Sequence, residues 1–228
     1  MAKIYETSLV GQKQVAKDTV EITISRPEDF KFETGQYIQL GVPDLKYSDP
    51  KGKSRVLSIA SSPDNDKEIS LAFRKSDSGF KRTLMEMEDG AKVLMEGPHG
   101  FHTLPKDPER PLIFVAGGIG ITPFLSMIRY AIKNGANTSI TLLYGNQNRD
   151  RAAYLEELQN RENRNKCFNL EATYERINKN FLTECADDPK KSLWYIAGPP
   201  GMVPSIRNSL FQLGVHDDNI FYEEFTGY

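Results

Sequence analysis

The stretch from Leu112 to Ile128 constrains the fold more than any other, because its 17 residues carry no charge and hold a glycine turn at their centre. Bracketed by Arg110 and Arg129, it sits at the lower limit for a membrane-spanning helix, about 17 residues. Gly117, Gly118, Gly120 and Pro123 interrupt it where a spanning helix would be continuous. A strand, a tight turn and then a helix accommodate the same letters, and no membrane insertion is expected. In Gly117-Gly118-Ile119-Gly120-Ile121-Thr122-Pro123 the glycines let the backbone turn sharply and leave room for a ligand to approach its amides. Thr122 is predicted to cap the following helix, and Pro123 suits its first turn. Exposed amides and a positive helix end favour a pyrophosphate. The loop is not the dinucleotide fingerprint GxGxxG, since Pro123 stands where the third glycine would be. A ligand-free strand-to-helix turn is the competing reading.

Two patterns flank this turn. Before it, Val20, Ile22 and Ile24 alternate with Glu21 and Thr23; Ile38, Leu40 and Val42 with Gln39 and Gly41; and Ile69, Leu71 and Phe73 with Ser70 and Ala72. Period-two alternation puts one face of each strand on a core, and Pro- and Asp-rich turns such as 43–53 separate the strands. A sandwich or barrel is predicted, interrupted by a short helix over 81–87 before Val93 to Glu96 resumes the strand pattern. After the segment 104–109, strands alternate with helices. Strands are predicted at 112–116, 139–144, 168–174 and 193–197, and helices at 123–133, about 151–161 and up to Leu213. That alternation implies a parallel sheet covered on both faces, which binds ligands at the carboxyl ends of its strands. With 228 residues, the chain has room for two domains of about 100 residues each.

Two further motifs carry chemistry. Gly198-Pro199-Pro200-Gly201-Met202 follows an apolar strand and opens a helix, so it could line one crevice with the first glycine turn; simple helix initiation by proline explains it equally. In the strand-rich half, Arg55-Val56-Leu57-Ser58-Ile59-Ala60-Ser61-Ser62-Pro63 places a guanidinium and three hydroxyls on or beside one strand. Arg55 and Ser58 would face opposite sides of a regular strand and so grip different parts of a long ligand. An exposed edge strand with a serine turn is the plainer alternative.

Composition removes several function classes. Twenty-nine basic against 31 acidic residues give a net charge of -2, without the global positive field of a nucleic-acid binder. Two cysteines, Cys167 and Cys185, cannot hold a four-thiolate cluster or build a disulfide framework, so no metal site is expected and a reducing cytoplasm is the predicted compartment. The opening Met1-Ala2-Lys3-Ile4-Tyr5-Glu6 lacks the apolar stretch of a secretory signal. His99 and His102 lack paired ligand spacing and are expected at the surface or in supporting roles.

Together, the order and spacing of Arg55-Val56-Leu57-Ser58, Gly79-Phe80-Lys81-Arg82-Thr83-Leu84, Gly97-Pro98-His99-Gly100, Gly117 to Pro123, Gly198 to Met202 and Glu223-Glu224-Phe225 resemble the ferredoxin–NADP reductase superfamily. In that family a flavin-binding barrel precedes a nucleotide domain. The resemblance implies an antiparallel β-barrel binding FAD over residues 1–105 and a parallel α/β domain binding NADH or NADPH over 106–228. It implies that Arg55 contacts the FAD phosphates, that Ser58 lies near flavin N5, and that Val56 and Leu57 complete the flavin strand. The turn of Gly79, Phe80, Lys81, Arg82 and Thr83 would offer amides to the pyrophosphate, with Phe73 and Arg74 bordering the flavin. Gly117, Gly118, Gly120 and Thr122 would meet the nicotinamide nucleotide, and Gly198, Pro199, Gly201 and Met202 would lie beside the nicotinamide.

Three departures stand out. Leu57 replaces the usual ring-stacking aromatic and would cover the flavin only by apolar contact. Ala197 replaces a frequent cysteine. The chain ends at Tyr228 without an iron–sulfur domain, so electrons are expected to pass to a separate ferredoxin, flavodoxin, oxygenase component or small molecule. In the tail, Phe225 and Tyr228 compete as the aromatic that covers the flavin. Asn146, at the end of the second parallel strand, is neither an acid nor an arginine, and weak discrimination between coenzymes is predicted. The alternative to an enzyme is a non-catalytic nucleotide-binding or regulatory subunit that keeps the fold.

Overall fold

The computed structural model describes residues 3–105, 109–135 and 138–226. Its first half contains β1 (Ile4–Ala16), β2 (Thr19–Ser25), β3 (Tyr37–Gly41), β4 (Ser54–Ser58), β5 (Glu68–Arg74), α1 (Gly79–Met85) and β6 (Lys92–His99). The six strands pair antiparallel in the order β4-β3-β6-β1-β2-β5. The two edges meet where Ile59 bridges Leu71 and the Ala60 N–H donates to the Ser70 carbonyl at 2.8 Å. The choice between sandwich and barrel therefore resolves to a barrel. The alternating residues read from sequence form its core: Ile22, Ile24, Ile38, Leu40, Ile69, Leu71 and Phe73 are all fully buried.

The second half contains β7 (Leu112–Gly117), α2 (Ile121–Lys133), β8 (Ile140–Gly145), α3 (Leu155–Glu162), β9 (Phe168–Thr173), α4 (Lys179–Glu184), β10 (Leu193–Gly198), α5 (Val203–Gln212) and β11 (Ile220–Glu224). Its five strands are parallel in the order β11-β10-β7-β8-β9. The boundary expected after residue 105 abuts residues 106–108, which lie outside the described residues.

Three elements had escaped the sequence reading: β1, α4 and β11. Only Leu9 of the 13 residues in β1 is fully buried, and register shifts between Leu9 and Gly11 and between Gln14 and Ala16 erase its period-two signal. The first helix starts at Gly79 rather than residue 81, since the Ser78 side chain accepts from the Lys81 N–H. The helix expected from about residue 151 starts at Leu155, because Tyr154 adopts a left-handed φ of 61° that no helix tolerates.

The two halves are bolted together on one side. From α2, the Ser126 hydroxyl donates to the Ser61 carbonyl at 2.7 Å and Arg129 donates to the Ala60 carbonyl at 2.9 Å. The Tyr154 hydroxyl donates to Glu21 of the barrel at 2.8 Å, and Arg151 pairs with Asp18 at 2.9 Å. Glu21 is a buried acid on β2, which breaks the inside–outside rule because Tyr154 and Lys13 hold its two oxygens. Among the described residues, no helix is long and apolar enough to cross a membrane.

Candidate functional site

The two glycine turns read from sequence are in contact. β7 and β10 are neighbours in the parallel sheet, so their carboxyl ends deliver Gly117 and Gly198 side by side. A methyl group on Gly117 would lie 2.6 Å from the Met202 sulfur, and one on Gly198 would lie 2.7 Å from the Met202 methyl. Met202 thus nests over both. Gly118, at φ +54°, faces the barrel, where a methyl group would lie 2.7 Å from an Arg74 guanidinium nitrogen. Arg74, at the end of β5, therefore projects across the seam onto the glycine turn. A cation above a backbone loop at the carboxyl end of a parallel strand is the arrangement that holds a nucleotide phosphate.

The structure corrects part of the expected loop. Thr122 does not cap the helix; it is buried inside the first turn, and its hydroxyl donates to the Ile119 carbonyl at 3.0 Å. Gly120 is buried against β10, where a methyl group would lie 2.6 Å from the Ala197 carbonyl carbon. Thr122 thus braces the turn from within, and Gly120 seats it against β10. Gly201 has open space around it.

A second cradle lies on the barrel. Arg55 on β4 pairs with Asp49 at 2.5 Å, and the same Asp49 oxygen accepts from the Ser78 hydroxyl at 2.6 Å and the Phe80 N–H at 2.9 Å. The Phe80 amide, the Ser78 hydroxyl and Arg55 hold the Asp49 carboxyl well below the usual carboxylate range. Lys81 reaches the Arg74 carbonyl at 2.9 Å; burial, with Arg55 nearby, lowers its ammonium to about 8. The donor set fits an anion, with the Asp49 carboxylate standing where a phosphate oxygen would. Asp49 was not singled out in the sequence, although it is the one acid between Lys46 and Lys53.

Other expected residues lie elsewhere. Leu57, Phe73 and Phe80 are core residues of the barrel, at 3%, 0% and 0% exposure, so Leu57 does not present its side chain to a ring. Val56 is exposed and Ser58 buried. Arg82 stacks on Tyr47 at 3.8 Å, and the Thr83 hydroxyl accepts from the Lys46 N–H at 3.1 Å, so both engage the 43–53 segment. Pro199 packs beside Gly117.

At the tail, the Phe225 N–H donates to the Gly198 carbonyl at 2.9 Å, and its ring joins the buried cluster that contains Ala60 and Ala72 of the barrel and Ile119 and Ala197 of the parallel half. Phe225 is thus tied to the second glycine turn through its backbone and buried among apolar residues of both halves. Tyr228 lies outside the described residues. Two steps earlier Glu223 is half-buried with one carboxylate oxygen unpartnered, and burial pushes its carboxyl up to about 7. His102 is not at the surface. Its ring stacks on Tyr195 at 5.0 Å and meets Phe124 edge-on, both nitrogens are buried without partners, and burial lowers it to about 4.

Similarity to known proteins converges on this geometry. Residues 114–208 match the oxidoreductase NAD-binding domain family. The chain is 32% identical over 162 residues to ferredoxin–NADP reductase B of Sorangium cellulosum, covering 69% of this chain and 64% of that protein. It is 24% identical over 224 residues to the reductase component of propane 2-monooxygenase from Gordonia sp., covering 91% and 63%. The chain therefore spans just under two thirds of the length of these curated relatives. A ferredoxin–NADP+ reductase from Neisseria gonorrhoeae, solved with bound FAD and NADP, superposes with a TM-score of 0.81 at 21% identity, over 98% of this chain and 99% of that one. With its closed antiparallel barrel, its parallel sheet and paired glycine turns at the seam between them, the chain has the two-domain fold of the ferredoxin–NADP reductase-like proteins and is similar to them in sequence.

Proposed function

We propose that the chain is an FAD-dependent NAD(P)H oxidoreductase, with residues 1–105 forming the flavin half and 106–228 the coenzyme half. The observation that carries this reading is Arg74 of the barrel lying over Gly118 of the parallel half, so that one ligand would touch both. FAD, when bound, supplies the electron sink that accepts hydride from the nicotinamide. The chain itself binds, orients and shields. Arg74 and the amides of Gly117 and Gly118 hold the coenzyme phosphates, Met202 and Pro199 wall the nicotinamide end, and Arg55 with the Phe80 N–H holds the flavin phosphates. Phe225 excludes water from the seam and must yield when the nicotinamide arrives. Ser58, at the end of β4, is the hydroxyl proposed nearest the reacting flavin atom.

Electrons then leave to a separate acceptor, a ferredoxin, flavodoxin, oxygenase component or small molecule. The relatives' names, a ferredoxin–NADP reductase and a monooxygenase reductase component, support that range. The proposed setting is the cytoplasm, a reading that the two unpaired thiols, Cys167 and Cys185, support. Of the arginines after β8, Arg151 is engaged by Asp18, which favours weak discrimination between NADH and NADPH.

The test is a visible spectrum of the purified protein before and after anaerobic NADH or NADPH. Bleaching of a flavin band supports the enzyme, while a protein that binds nucleotide without reducing added FAD is a binding subunit. Within the enzyme reading, Arg74→Ala is expected to raise the coenzyme KM about tenfold, the loss of one charge-assisted contact of about 1.4 kcal/mol, with kcat little changed. An unchanged KM would remove Arg74 from the coenzyme site.

A further inference from the structure

The cation assigned to the flavin phosphates is already taken. One Arg55 terminal nitrogen donates to the carbonyls of Lys51 (3.3 Å), Gly52 (3.0 Å) and Ser54 (2.6 Å), and the other to Asp49 (2.5 Å) and Ser78 (3.1 Å). The 49–54 segment thus wraps the guanidinium, leaving the Asp49 side chain only 3% exposed and that of Arg55 14% exposed. The same segment covers the start of α1, where a methyl group on Gly79 would overlap the carbonyls of Tyr47 and Ser48. At its outer end it is latched by Glu86, which accepts from Lys46 at 2.5 Å and from the Tyr47 hydroxyl at 2.8 Å.

We propose that residues 43–53 form a counter-ion lid in which Asp49 competes with a flavin's phosphates for Arg55, so that Asp49 sets how tightly a phosphate-bearing flavin is retained. This inference rests on the assignment of Arg55 to the flavin phosphates. Its physical basis is charge and donor number. A carboxylate and a phosphate oxygen on the same face of one guanidinium repel each other, and a bidentate phosphate contact needs both terminal nitrogens. Binding therefore requires Asp49 to swing out, breaking its contacts with Ser78 and the Phe80 N–H as well. A flavin without a phosphate has no such requirement. Asp49 consequently lowers the advantage of FAD over riboflavin and makes FAD exchangeable.

The experiment strips the protein of flavin and titrates it with FAD and with riboflavin, following flavin fluorescence, for the wild type, Asp49→Asn, Glu86→Gln and Arg55→Ala. The lid predicts that Asp49→Asn tightens FAD binding by about tenfold or more and leaves riboflavin binding unchanged. Glu86→Gln, outside the cradle, is predicted to accelerate FAD association without changing that of riboflavin. Unchanged or weaker FAD binding in Asp49→Asn, together with weaker binding in Arg55→Ala, would overturn the lid and spare the Arg55 assignment. FAD binding indifferent to Arg55→Ala would instead overturn that assignment and the lid with it. Should Asp49→Asn melt well below the wild type, the same titrations on Asp49→Ser and the Glu86→Gln association rates decide.

Discussion

Gly120→Ala is expected to lower stability by about 3 kcal/mol or more, the cost of forcing atoms into a packed interior that cannot yield. Gly120 is buried where the first glycine turn presses on β10, and the added methyl group would overlap the Ala197 carbonyl and sit 2.8 Å from the Gly198 nitrogen. Those are backbone atoms of β10, so no side chain can rotate away to make room. For a chain of this size the melting temperature should fall by roughly 6–12 °C. The shift would also separate Gly117 from Gly198, so coenzyme affinity should fall with stability. Gly201→Ala is the control: nothing lies within 4 Å of the added carbon, and its change should stay within about 0.5 kcal/mol. Thermal and urea unfolding of the two variants measures the contrast, and equal stabilities would show that the turn is free to relax.

Two buried titratable groups give the second large effect, with opposite signs. Glu223 is raised to about 7 by burial, so the stability it contributes below its ordinary 4.5 is lost as pH rises through 7. His102 is lowered to about 4, so the stability present above its ordinary 6.5 is lost as pH falls through 4. Each swing is about 3 kcal/mol, and between pH 4.5 and 6.5 the two opposite slopes offset each other, leaving a plateau. Glu223→Gln should therefore gain about 3 kcal/mol over the wild type at pH 8 and nothing below pH 4.5. His102→Phe, which keeps a ring against Tyr195, should show its advantage only on the acid side. Unfolding free energies across pH 4–8 supply the curves, and a pH-independent difference in either variant would mean that its group is not held uncharged.

How legible the molecule was in its sequence depended on whether a signal was local. The period-two recurrence of Ile22 and Ile24 and of Ile69 and Leu71 reflects burial on one face, and those strands emerged with nearly correct bounds. The glycine turns were legible because strand, turn and helix follow one another directly. β1 was not, because a long strand with a single fully buried residue has no period to read. Thr122 was misread as a cap because nothing local distinguishes a hydroxyl before a helix from one inside its first turn. Asp49, His102 and Glu223 take their properties from partners or burial supplied by distant segments, such as Phe80 for Asp49 and Tyr195 for His102. No window along the chain contains those pairs.

The contacts that join the halves away from the cleft bear on modularity. The carbonyls of Ala60 and Ser61 receive their donors from α2, and Glu21 receives a hydroxyl from Tyr154. A barrel cut free of its neighbour would lose those donors and bare Ala60 and Ala72, which lie in one apolar cluster with residues of the parallel half. The barrel is thus no portable cassette that recombination could graft onto another nucleotide domain unaltered. Heat or denaturant should dismantle both sheets in one cooperative event, and any transplant of the barrel must carry replacements for Ser126, Arg129 and Tyr154 with it.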